Sequence, residues 1–430
     1  MARLFGTDGI RGLAFGEVLT EELTRQVAGS AVRVLGGTRV AIGRDTRPSG
    51  PALEKAAVEG FTAAGADVVL LGVVPTPTVA QVVASGAADL GLVLSASHNP
   101  APDNGLKLFG PGGHKLTDAQ EDAIEAGLGT QSHGNGTVSD GAALVEGYVA
   151  SLLSTAGSLS GLRVVVDGAE GAASRLAPDV YRRAGADVVA IHCAGDGERI
   201  NDGCGATHPE SLAAAVVEHG ADLGIAHDGD ADRCIVVDAD GRVLNGDQVL
   251  GLLALARQEA GLPGSGVLVA TVMSNLGLAL AMEAAGIELV RTAVGDRYVL
   301  EAMLEGGHRL GGEQSGHVVL LDHATTGDGI LTALQVMARV VHTGQPLARL
   351  AGVVALLPQV LLNVRADRSR ATAPDVVAAV ASEEAALAGS GRVLLRPSGT
   401  EPLVRVMVEA PTLETATEVA QRLAGAVAGS

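Results

Sequence analysis

Gly65-Ala-Asp-Val-Val69 returns as Gly185-Ala-Asp-Val-Val189 and, more loosely, as Gly286-Ile-Glu-Leu-Val290. Each copy follows an Ala-rich stretch of helical character that stops at its glycine, as a helix C-terminus does. Each is preceded, 20 to 26 residues earlier, by an apolar run of strand character: Arg39 to Ile42, Leu162 to Val166 and Gly266 to Ala270. Strand, helix, glycine and strand make a βαβ unit, so the echo predicts three α/β layers on one plan.

Working outward, every unit then gains one more strand that runs into a polar loop. Ala88-Asp-Leu-Gly91 leads into LVLSASHNP, Ala221-Asp-Leu-Gly224 into IAHDGDADR, and His308-Arg-Leu-Gly311 into GEQSGH. Open α/β sheets bind ligands beyond the carboxyl ends of their strands, so three such loops predict one shared cleft. After about residue 356 the pattern changes to strand (Gln359 to Val364), helix (Ala373 to Ala388), two strands and a last helix, a small α+β module. The expected domains are residues 1–155, 156–254, 255–356 and 357–430, and Gln131 to Gly141 reads as an exposed loop.

Composition removes several classes of function. The 430 residues carry a net charge of −19, which disfavours nonspecific binding to DNA or anionic lipid. Four Phe, three Tyr and no Trp leave little for stacking on single-stranded nucleic acid. Hydrophobic residues make up 47% and charged ones 18%, the balance of a folded chain. Cys193, Cys204 and Cys234 are scattered without CxxC spacing, the start lacks an apolar signal core, and the uncharged run Ala260 to Met282 is broken by Pro263, Ser274 and Asn275. These features predict a soluble cytoplasmic protein without nucleic-acid or membrane partners.

The chemistry sits in the loops. Asp228-Gly-Asp230-Ala-Asp232-Arg233 sets three carboxylates at alternate positions; in an extended segment they share a face and can converge on a hard cation. An EF-hand is excluded, since its sixth position is Arg233 and its twelfth Ala239. Ser95-Ala-Ser97-His98-Asn-Pro100 offers hydroxyls and an imidazole outside any Gly-x-Ser-x-Gly elbow, so Ser97 reads either as a phosphoryl carrier beside a cation or as a turn serine. The chain has only three lysines (Lys55, Lys107, Lys115) against 27 arginines. A desolvated lysine can exchange a proton where arginine cannot, which makes Lys107 a candidate general acid or base. Arg396-Pro-Ser398-Gly399-Thr400-Glu-Pro-Leu-Val-Arg405 combines guanidiniums, hydroxyls and an open backbone, as a phosphate clamp or an ordinary hairpin would. Glu313-Gln-Ser315-Gly-His317 presents groups suited to sugar hydroxyls. No Walker A or dinucleotide fingerprint is present.

Together with Phe5-Gly-Thr-Asp-Gly-Ile-Arg-Gly12 and Gly43-Arg-Asp-Thr-Arg-Pro-Ser-Gly50, these loops resemble, in order and over the whole chain, the α-D-phosphohexomutases. The resemblance implies three similar mixed α/β domains and a smaller C-terminal α+β domain, four around a central active-site cleft. It implies Ser97 as the phosphoserine and one Mg²⁺ per subunit held by its phosphate with Asp228, Asp230 and Asp232. Glu313 and Ser315 match the sugar contacts. Arg396, Ser398, Gly399, Thr400 and Arg405 match the clamp on the non-reacting phosphate. Arg11, His98, Lys107, Arg233 and His317 match the surroundings of the reacting phosphate. The implied substrates are small sugar phosphates, turned over through a sugar 1,6-bisphosphate that also serves as activator. The FGTDGIRG start and GEQSG loop favour the amino sugar glucosamine over mannose or glucose, with a homodimer as the expected assembly. A Mg²⁺-dependent sugar phosphatase or a silent sensor are the rival classes.

Overall fold

A computed structural model describes residues 3–6, 8–397 and 402–429. The chain forms two compact units, residues 1–273 with 287–353, and residues 274–286 with 354–430.

The first unit holds three sheets. In the first, the spatial order is Ile10–Leu13, Asp103–Gly110, Leu90–Leu94, Arg39–Arg44, Asp67–Val73 and Val138–Asp140, with His114–Lys115 pairing the second of these. The second runs Val243–Leu244, Ile235–Asp238, Leu223–Ala226, Arg163–Asp167, Asp187–Ile191, and the third Val318–Leu320, Leu310–Gly312, Val267–Thr271, Glu288–Thr292. All three share one strand arrangement. Arg39–Arg44, Arg163–Asp167 and Val267–Thr271 each lie parallel to a strand on either side, and the flanking strand Leu90–Leu94, Leu223–Ala226 or Leu310–Gly312 then pairs antiparallel with the next one. Strands covered on both faces read as continuous apolar runs, and all of Leu90–Leu94 and Leu223–Ala226 is buried.

The repeated glycines do what their position demands. Gly65, Gly185 and Gly286 have φ of +90°, +105° and +69°, the left-handed conformation that ends a helix and costs glycine least. The loop expected over Gln131 to Gly141 is mostly exposed, but its last part, Val138–Asp140, joins the first sheet as a parallel edge strand.

The second unit is an antiparallel sheet, Gln359–Arg365, Leu403–Glu409 and Arg392–Pro397 in that order, covered by Pro374–Leu387 and Leu413–Ala428. Val404, Val406, Val408 and Leu423 form its core. The helix Leu276–Ala284, read in the sequence as part of residues 255–356, belongs to this unit: Leu276 N–H donates to the Glu409 carboxylate at 2.8 Å, and Asn275 exchanges two hydrogen bonds with the Leu357 backbone. Among the described residues no helix is long and apolar enough to cross a membrane, and Cys193, Cys204 and Cys234 are unpaired.

Candidate active site

In every sheet of the first unit the polar loop joins the third strand to its antiparallel neighbour, so both ends of the loop are anchored in a sheet. Ser97 follows Leu90–Leu94, is 1% exposed, and adopts a left-handed backbone at φ +53°. Its N–H donates to Ser95 Oγ at 2.9 Å and its hydroxyl to Asp228 Oδ2 at 2.6 Å, while His98 Nδ1 lies 3.4 Å from Oγ.

Asp228 begins the loop after Leu223–Ala226. The carboxylates do not converge by alternation along an extended segment, as the spacing suggested. Residues 229–231 form a turn with Ala231 at φ +56°, and this turn gathers Asp228, Asp230 and Asp232 so that one oxygen of each lies within 4.8 Å of the others. Asp230 Oδ2 accepts from Lys107 Nζ and Thr76 Oγ1, both at 2.6 Å. Asp230 Oδ1 and Asp232 Oδ1 are buried without any hydrogen-bond partner. Two orphaned carboxylate oxygens in a buried acidic triad fit a divalent cation, which would satisfy both. Burial, then Asp232 and Asp230, raise the Asp228 carboxyl to about 7. At Asp232 burial acts the same way, but Lys107, His317 and Arg233 overcome it and hold the group far below the carboxylate range.

Lys107 is surrounded by three carboxylates. Burial alone lowers an ammonium pKa, yet Asp230 at 2.6 Å, Asp8 at 3.0 Å and Asp232 at 3.7 Å raise it above the ordinary lysine value. Arg11 donates to Asp8, and Arg233 Nε stands 3.8 Å from both Asp228 and Asp232. His317 lies 3.7 Å from Asp232 and Asp296, which overcome its burial and raise its pKa. His98 moves the other way: burial, Arg233 and Arg11 lower it to about 4. Arg11, His98, Asp232, Arg233, Glu313 and His317 line one cavity of about 380 Å³.

The Glu313 loop forms the remaining wall. Glu313 Oε1 accepts from Gly295 N–H at 3.1 Å, and Ser315 Oγ has no partner. Its backbone rests on Gly246, whose N–H donates to Gln314 O at 3.0 Å; a Cβ there would sit 2.1 Å from Glu313 O, so the close approach requires glycine.

Models of the phosphoglucomutase/phosphomannomutase family match along the chain in order: alpha/beta/alpha domain I over residues 2–134, domain II over 146–241, domain III over 245–356, and the C-terminal domain over 361–426. The chain belongs to this family. It is 58% identical to the phosphoglucosamine mutase of Parafrankia sp. (strain EAN1pec), with 99% of each chain covered, and 58% identical to that of Saccharopolyspora erythraea, over 100% of this chain and 99% of the other. A solved phosphoglucomutase/phosphomannomutase family protein from Burkholderia thailandensis superposes with a TM-score of 0.81 at 28% identity, covering 99% of this chain and 97% of that one.

Within this family member, the first unit thus brings together Arg11, Ser97, His98, Lys107, Asp228, Asp230, Asp232, Arg233, Glu313, Ser315 and His317. In the second unit, Arg396 stands directly opposite Arg405 across Arg392–Pro397 and Leu403–Glu409, with no carboxylate within 4.0 Å of either among the described residues. Like charges in register repel, and an anion between them would relieve this. Ser398, Gly399 and Thr400 lie outside the described residues. Sequence reasoning missed Asp8, Thr76, Asn201 and Asp296. Asp8 and Asp296 flank Lys115, whose ammonium donates to both. Lysine scarcity flagged Lys115; nothing local marks its acidic partners.

Proposed function

We propose that the chain interconverts glucosamine 6-phosphate and glucosamine 1-phosphate through phospho-Ser97 and a glucosamine 1,6-bisphosphate intermediate. The observation that carries this is the Ser97 hydroxyl, 2.6 Å from Asp228 in a buried triad with two orphaned carboxylate oxygens. Relatives 58% identical over 99% of the chain carry the name phosphoglucosamine mutase. Asp228, Asp230 and Asp232 would hold Mg²⁺, which suits an all-oxygen site that leaves room for a phosphate oxygen. Bound there, it would neutralise charge on the transferring phosphoryl group.

The residues of the chain supply the rest. The bond from Ser97 Oγ to phosphorus breaks as a bond to the sugar oxygen forms; the sugar hydroxyl gives up its proton and Oγ takes one up, so the proton count is unchanged and Oγ regains its bond to Asp228. The bisphosphate then turns over, and its other phosphate returns to Ser97. Such transfer is positioning plus charge stabilisation, which Arg11, Lys107, Arg233 and His317 provide. His98 Nδ1, 3.4 Å from Ser97 Oγ, orients that oxygen. Arg396 and Arg405, with Ser398, Gly399 and Thr400, take the non-reacting phosphate; Glu313 and Ser315 take sugar hydroxyls. A chain charge of −19 repels dianions at long range, so these cations must win within a Debye length of about 8 Å.

The test is Ser97→Ala. Turnover should fall by several orders of magnitude in a folded protein, and the phosphoryl mass of about 80 Da on the wild type should vanish. Near-wild-type turnover in that variant would sink the proposal. Initial rates with glucosamine, glucose and mannose 1-phosphates, each primed with its own bisphosphate, decide the sugar.

A further inference from the structure

Arg47 is fully buried at the root of the Ser97 loop, and all five N–H donors of its guanidinium are used. Nε donates to Asp45 Oδ2 at 2.8 Å. Nη1 donates to Asp103 O at 2.8 Å and to Pro100 O, and Nη2 to Ser97 O at 2.9 Å and Asn99 O at 2.7 Å. Four carbonyls of one loop therefore converge on one side chain. The other side of Ser97 leads back to the same ion pair: Ser97 N–H donates to Ser95 Oγ, and Ser95 Oγ donates to Asp45 Oδ2 at 2.6 Å. Both peptide units flanking Ser97 are thus tied to Asp45–Arg47, which fixes a left-handed backbone that a serine does not favour. Asn201, in a turn beyond the strand Asp187–Ile191, adds a second donor to Ser97 O at 2.9 Å and to Asn99 O at 3.1 Å.

We propose that Arg47 is a positioning residue for phosphoryl transfer, aiming Ser97 Oγ at the acidic triad by holding the carbonyls of its loop. Its charge is matched by Asp45 and lies on the carbonyl side of the loop, so it acts on the direction of Oγ and not on the phosphoryl charge. Lysine cannot replace it, because one ammonium cannot span four carbonyls and a carboxylate held in a planar fork.

The inference rests on the mutase reading, and the experiment separates the two. Arg47→Lys is phosphorylated with glucosamine 1,6-bisphosphate, its phosphoserine is counted by intact mass, and a single turnover to glucosamine 1-phosphate is timed by rapid quench. Misplacing a reacting atom by about 1 Å costs roughly 100-fold, so the rate per phosphoserine should fall about 100-fold at unchanged KM. A purely structural role would lower Tm and the folded fraction while leaving the rate per phosphoserine at the wild-type value, and that result overturns the proposal. Should Arg47→Lys fail to fold, Ser95→Ala and Asn201→Ala each cut one link; both must slow transfer per phosphoserine, and a wild-type rate in either overturns it. A wild-type enzyme that carries no phosphoserine after turnover would instead remove the mutase reading itself.

Discussion

The loop after Leu90–Leu94 and the loop after Leu310–Gly312 hold the same place in two similar sheets and both have engaged backbones, yet their polar side chains are secured differently. Around Ser97 the side chain, N–H and carbonyl are all engaged by buried groups. Glu313 is only partly buried, one of its oxygens accepts a single backbone N–H, and nearby Ser315 Oγ has no partner. A group that passes a phosphoryl must be held along one line of approach. A group that reads a sugar in two orientations needs hydrogen-bonding capacity left over. Under the proposed function, the difference in side-chain anchoring would separate transfer from recognition.

The strongest way to break this comparison is on the rigid side. Asp230→Asn removes a ligand charge and a partner of Lys107, and should lower kcat about 10²- to 10³-fold with weakened dependence on divalent cation, measured by metal titration at fixed sugar phosphate. Unchanged metal dependence would make the triad structural. On the adaptable side, Glu313→Gln should cost about 1.5–3 kcal/mol of transition-state binding, roughly 10- to 100-fold in kcat/KM, and fall unequally on glucosamine and glucose 1-phosphates. An equal loss for both sugars would place recognition elsewhere.

Smaller effects sharpen the picture. Arg396→Ala should raise KM about tenfold while sparing kcat, as loss of a contact to the non-reacting phosphate requires; an unchanged KM moves that contact away from Arg396. Asp328 stands behind the loop that carries Asp228, Asp230 and Asp232, where Gly329 N–H donates to Ala231 O at 3.0 Å. It accepts from Tyr148 OH and Leu331 N–H, both at 2.9 Å, and burial raises its carboxyl to about 6. Because the folded value exceeds the unfolded one, its contribution is complete below about pH 4 and is lost as pH rises through about 6. Asp328→Asn should therefore gain stability relative to the wild type across that window, by at most about 3 kcal/mol, read from urea melts at pH 4 to 7. A constant difference across the window would show that Asp328 does not titrate there.

Local pattern carried the repeats: Gly65, Gly185 and Gly286 end helices as their sequence context implies, and each polar loop follows the strand that precedes it in the chain. Pairing between distant segments was illegible. Lys107 reads as a candidate proton carrier by residue type, and the carboxylates around it come from positions 8, 230 and 232, on two other loops. Arg47 stands in a polar motif, GRDTRPSG, with nothing to show that its guanidinium is wholly buried under a neighbouring loop. Leu276–Ala284 has a helical pattern that names no partner sheet, and its attachment through Glu409 depends on a residue 133 positions away.

The left-handed backbone at residue 97 also decides which alcohol the site can use. Chemistry alone would accept the hydroxyl of threonine as readily as that of serine. At φ +53°, however, a second substituent on Cβ is driven toward the backbone, and β-branched residues are genuine outliers in that region. Under the proposed function the choice of serine is therefore conformational: the turn that presents the oxygen also bars the nearest chemical substitute for it.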